Sequence, residues 1–139
     1  MKNLILLICC LWSFAAFAQI RKIQWASTLK YQYNQYHEVV YSGQQALGPP
    51  NAFPPGHINI NAFRLSGESE FGILKLGFAV PQQVQQVIII ENNQPGRIAQ
   101  VKLIDEFGFN YIIYQQGPHK IAEKFRSMVL SLPRTDYNV

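Results

Sequence analysis

Glu91-Asn92-Asn93-Gln94 sets one carboxylate and three amides side by side at the end of an apolar run, residues 87–90, that reads as the most buried strand. Such a cluster can hydrogen-bond sugar hydroxyls or offer oxygen ligands to a hard cation such as Ca²⁺. The competing reading is a polar turn that binds its own backbone, and the Pro95-Gly96 that follows has turn composition. A second polar set, Gln44, Asn51 and His57, stands on or beside a stiff stretch, YSGQQALGPPNAFPPGH, residues 41–57. Ligand-binding side chains are therefore sought first at Gln44, Asn51, His57, Glu91, Asn92, Asn93 and Gln94.

Other chemistry-bearing residues do not assemble. Glu68 and Glu70 would make a glycosidase pair only if both faced one substrate. For this pair a solvated loop or strand edge is the expectation. His37, His57 and His119 lack metal-ligand spacing, and His37-Glu38 is not followed by the second histidine of a zinc-protease helix. These histidines are expected at the surface. Tyr31, Tyr33, Tyr36 and Tyr41 form an aromatic-rich run on which sugars could stack, although alternation puts Tyr31 and Tyr33 at the edge of the core. No catalytic set emerges, so no enzyme, metal or cofactor is expected; structural Ca²⁺ is conceivable but has no supporting spacing.

The 41–57 stretch holds four prolines and three glycines in seventeen residues, with no charge before His57. Pro49, Pro50, Pro54 and Pro55 fix φ and lower the entropy lost on ordering. Gly48 and Gly56 permit dihedrals that other residues avoid. With Leu47 and Phe53 as plugs beneath it, the stretch reads first as a rigid crossover wrapped over one end of the fold. A binding loop is the alternative.

The elements that must position these groups are short and extended. From Ile23, an alternating pattern puts Ile23, Trp25, Ser27, Leu29, Tyr31 and Tyr33 on one side of a strand. FGILKLGFAV places Leu74, Leu76, Phe78 and Val80 on one face, and Pro81 closes it. VQQVIIIEN is apolar on both faces, the mark of a central strand covered on each side. IAQVKLID and FNYIIYQ, joined through Asp105-Glu106-Phe107-Gly108, read as a β-hairpin. IAEKF suits one helical turn, and SMVLSL is a last strand, after which SLPRTDYNV stops without a capping segment. Many short strands, regular turn signals and no long amphipathic helix predict an all-β, antiparallel sandwich.

The start of the chain has a different role. Lys2, the apolar NLILLICCLWSF and the small residues Ala16 and Ala18 form a secretory signal peptide, residues 1–18, cleaved between Ala18 and Gln19. The run falls short of the roughly 20 apolar residues of a membrane span. Ile8 before Cys9, and Cys9 before Cys10, are not the small residue that lipid attachment requires. Of 139 residues, 121 remain as one domain, residues 19–139, with no cysteine. Stability must then come from packing without disulfides. The net charge of +4 drops to +3 with Lys2, and the basic residues are scattered, which argues against nucleic acid as a partner.

Trp25-Ala26-Ser27, YSGQQALGPPN, LKLGF and IIIENNQPGRIAQVKLID, in that order, resemble the discoidin-like, galactose-binding-like jelly-roll domain of bacterial envelope proteins. The resemblance spans residues 25–137, with Gln45-Ala46-Leu47-Gly48-Pro49-Pro50-Asn51 its most specific piece, seconded by Glu91 and Pro95-Gly96. That domain often precedes an OmpA-like peptidoglycan-binding domain. Relatives continue past the strand matching SMVLSLP into closing strands with a Gly-Trp and an Ile-Asp pair, which this sequence lacks, so a C-terminal truncation is expected. The resemblance implies an exported protein of the periplasm or cell surface of a Gram-negative bacterium. Its expected role is a non-enzymatic interaction module for glycan or an envelope partner, acting through strand-end loops. The alternative is a structural N-terminal remnant of a longer OmpA-like protein, with a small hydrolase a distant third.

Overall fold

The computed structural model describes residues 22–33, 40–65 and 71–139. The expected leader 1–18 with its Ala18–Gln19 junction, and Tyr36, His37, Glu68 and Glu70, lie outside the described residues. The described chain forms six strands: β1 Thr28–Tyr33, β2 Ile73–Gly77, β3 Gln86–Asn92, β4 Gln100–Ile104, β5 Asn110–Gln115 and β6 Phe125–Ser131, with one 3-10 turn at Gly43–Ala46. All pairing is antiparallel, in three two-stranded ladders, β1–β2, β3–β6 and β4–β5. The all-β, antiparallel expectation is met. Among the described residues no helix is long and apolar enough to cross a membrane.

The first strand departs from simple alternation. Leu29 pairs with Leu76 and Tyr31 with Lys75, so Lys30 is an extra residue bulged out of the ladder. A bulge shifts every later side chain to the other face. Gln32 therefore turns inward with Leu74, while Tyr31 and Tyr33 face outward, 51% and 45% exposed. Tyr31 and Tyr33 are surface residues on the face of Ile73 and Lys75, not members of the inner layer. Ile23 and Trp25 lie before the strand and are exposed as well. In their stead the Gln24 side chain makes a two-point bond to the Val80 backbone, Nε2 donating to the carbonyl at 2.8 Å and Oε1 accepting the N–H at 2.9 Å. Phe78 and Val80 fall beyond the end of β2 and are also exposed.

The inner face of β1–β2 is closed by the 3-10 turn. Gly43 donates its N–H to Gln32 Oε1 at 2.8 Å. A Cβ on Gly43 would stand 2.6 Å from both that oxygen and Leu74 Cδ1, so only glycine lets the backbone come this close. Gly48 N–H then reaches the Ala26 carbonyl at 2.8 Å, and Asn59 Nδ2 donates to the Phe53 carbonyl. The 41–57 stretch is thus lashed down through its backbone. Phe53, expected as a plug, is 67% exposed; the anchoring comes from hydrogen bonds and not from that ring.

β3 runs in register with β6 from Gln86↔Ser131 to Asn92↔Phe125. One face carries Val87, Ile89, Met128 and Leu130, and Met128 is buried. On the other, the cross-strand partners Ile88 and Val129 are 48% and 50% exposed, so β3 is not covered on both sides as its apolar run suggested. IAEKF is not a helical turn: Asn93 N–H bonds the Lys124 carbonyl and Phe125 already pairs with Asn92, which commits this backbone to the ladder. Nor does the chain lack partners after β6. Residues 132–139 continue against 82–85, with Leu132 N–H on the Gln85 carbonyl, Thr135 N–H on the Val84 carbonyl and reciprocal bonds between Gln82 and Val139. Thr135 Oγ1 accepts from Val84 N–H and donates to the Tyr137 carbonyl.

The β4–β5 hairpin forms as predicted, and Asp105 organises its turn. Its Oδ1 accepts the N–H groups of Phe107 and Phe109, both at 2.9 Å, and its Oδ2 accepts the Tyr111 hydroxyl at 3.0 Å. Tyr111 in turn stacks on Tyr137, ring centroids 3.9 Å apart, which fastens the hairpin to the tail that follows β6.

Candidate functional site

The polar cluster at the end of β3 is largely consumed by the fold. Glu91 lies opposite Arg126 in the ladder. Its Oε2 accepts Arg126 Nε at 2.6 Å and is also ion-paired to the second guanidinium nitrogen, and its Oε1 accepts the Gly96 N–H at 2.9 Å. Both carboxylate oxygens are occupied and the side chain is only 9% exposed. Asn92 is equally committed: its Oδ1 accepts Gly56 N–H at 2.6 Å and its Nδ2 donates to the His57 carbonyl at 2.9 Å. The two stretches singled out in the sequence do meet here, but through an amide that staples the 41–57 wrap to β3. Glu91 and Asn92 thereby serve the fold, their side-chain oxygens engaged by Arg126, Gly96 and Gly56.

Asn93 and Gln94 take left-handed backbone conformations, φ 56° and 66°, followed by Gly96 at φ 91°. Asparagine tolerates this region better than most residues and glycine best of all. The turn therefore folds back sharply and leaves the Gln94 side chain exposed, with Pro95 and Gly96 buried beneath it. Gln44 and Asn51 are exposed on the far part of the wrap, and neither hydrogen-bonds the 91–96 turn. His57 contributes its carbonyl and not its ring. Gly48, Pro49 and Pro50, like Pro54 and Pro55, belong to the wrap.

A second strand-end link docks on the turn. His119 N–H donates to the Gly96 carbonyl at 3.0 Å. Between the two segments opens a groove of about 360 Å³, lined by Gln94, Pro95, Arg97, Pro118, His119, Lys120 and Ile121. Three of these seven side chains are basic and none is acidic. Glu91, the nearest carboxylate along the turn, is already neutralised by Arg126, so it does not offset the charge of Arg97 and Lys120. Among the described residues no three His, Cys, Asp or Glu side chains gather in a way that could hold a metal.

Of the expected ligand-binding residues, the structure brings Gln94 to this groove, with Pro95 as part of its wall. Arg97, His119 and Lys120 were not singled out for binding; their signal was a basic residue beside each of two Pro/Gly turns, Pro95-Gly96-Arg97 and Gly117-Pro118-His119-Lys120. No protein-family model matches the chain, and neither a curated protein nor a solved structure matches it.

Proposed function

We propose that this protein is an exported, non-enzymatic binding module of the cell envelope, a galactose-binding-like β-sandwich that recognises glycan or an envelope partner at one rim. The observation that carries this reading is the groove at 94–97 and 118–121, where side chains of two strand-end segments, Gln94, Arg97, His119 and Lys120 among them, converge. Recognition by loops held on a rigid β scaffold is a common division of labour. The non-enzymatic part is supported by two of the acids, Glu91 and Asp105, each of which accepts hydrogen bonds within the fold at both carboxylate oxygens. Export rests on the 1–18 leader, which delivers a chain beginning at Gln19.

The test is a glycan array together with a pull-down from envelope extracts, using the secreted protein after cooperative unfolding has been confirmed. Binding in either assay that weakens when Gln94 and Arg97 are replaced by alanine supports the module. Blank results in both sink it.

A further inference from the structure

The lining chemistry of the groove narrows the ligand class. Arg97 and Lys120 are exposed and His119 half-buried, and no acidic side chain shares the wall with them. A concave surface lined by basic side chains with no acidic one among them favours an anion, and guanidinium recognises carboxylate or phosphate through paired N–H donors. The remaining lining is not that of a bare ion site. Pro95, Pro118 and Ile121 give it apolar walls, and Gln94 adds an amide that can both donate and accept. The volume, about 360 Å³, lies at the low end of the roughly 300–1,000 Å³ of small-ligand pockets. A ligand that matches all of these features has an apolar ring face, hydroxyl groups and a negative charge. Single-stranded nucleic acid fits less well, since no aromatic side chain lines the groove for base stacking.

Resting on the binding-module reading above, we infer that the groove takes an acidic sugar: a uronic-acid or comparably charged unit of an envelope polysaccharide. Its carboxylate lies against Arg97 and Lys120, its hydroxyls meet Gln94 and its ring packs on Pro118 and Ile121.

The probe is a short oligogalacturonate, compared by calorimetric titration with its methyl ester, which keeps the ring and removes the charge, and with inorganic phosphate. The acid form binds; the ester binds about tenfold more weakly or worse, as expected on losing a charge-assisted contact. The double variant Arg97→Ala, Lys120→Ala loses the same factor, while Lys102→Ala on the exposed side of β4 does not. Raising the salt weakens binding to wild type, because exposed charges are screened. Three results overturn the inference: equal binding of acid and ester, no effect of the double variant, or phosphate binding as tightly as the sugar acid, which would make the site one for small anions. In the first two, neutral glycan or envelope-protein capture would leave the binding module standing while the acidic ligand falls. If no probe, glycan or envelope protein binds the folded chain, both fall together.

Discussion

Gly96 holds φ at 91°, and a Cβ there would run into the His119 carbonyl oxygen and the Ile121 side chain. Left-handed strain and a backbone clash then add at a single position. Gly96→Ala is expected to cost about 2–4 kcal/mol, measured by urea unfolding, and to pull the 118–121 link off the turn. Gly108 has the same φ with nothing near its missing side chain, so Gly108→Ala should cost only the conformational part, about 1 kcal/mol. Tyr111 and Tyr137 supply a pH-dependent check. Both phenols are held above the ordinary value of 10.0, Tyr111 by desolvation in the stack and then by its bond to Asp105, Tyr137 by desolvation and then by Asp136. A raised folded-state value means the stack's contribution is intact below pH 10 and is lost as the pH climbs through the folded values. Alkaline difference absorbance should show these two ionising above the ordinary value, and Asp105→Asn should bring Tyr111 back towards it. These residues were visible in the sequence as turn formers and aromatics. Which carbonyl a glycine must avoid, and which ring meets which, depended on contacts far apart in the chain.

At the level of elements, backbone groups of the 41–57 wrap are tied to β1 and the residues before it through Gly43 and Gly48, to β3 through Gly56-His57, and to residues 59–64 through Tyr41 and Phe53. Asn92 is the single side chain at the β3 end, and Gly56 is buried. Asn92→Ala should leave the Gly56 N–H without its acceptor, costing about 1–3 kcal/mol. More tellingly, it should make the 49–57 stretch sensitive to limited proteolysis while the ladder of β3 and β6 stays protected. Asn92→Asp keeps the acceptor oxygen but loses the bond to the His57 carbonyl, so its effect should be intermediate. Strand positions were legible because hydrophobic alternation and turn residues mark them locally. The β1 bulge was not, since Lys30 carries no local sign that the ladder skips it, and one skipped residue reverses the faces of Gln32, Tyr31 and Tyr33.

For the whole molecule, apolar burial is uneven. Among the described residues Leu103 and Met128 are the buried hydrophobic side chains of the strands, each 5% exposed, while the neighbouring Val129 stays half-open on the opposite face of β6. Met128→Ala should therefore cost about 2–4 kcal/mol by chemical denaturation, and Val129→Thr less than about 1 kcal/mol, although both sit mid-strand. Comparable costs at the two sites would mean that both faces of the β3–β6 ladder are packed. Local information alone determined that the chain is built of short antiparallel strands, where its turns fall, and that Pro and Gly would stiffen the 41–57 stretch, because each follows from side-chain period and backbone dihedral preference. Only the tertiary structure decided that Glu91 is matched by Arg126, that Asn92 staples the wrap, and that two basic turns 20-odd residues apart close one groove. Those outcomes turn on the register of β3 against β6 and on a single backbone bond between His119 and Gly96, both pairings between distant segments that no short window of sequence contains.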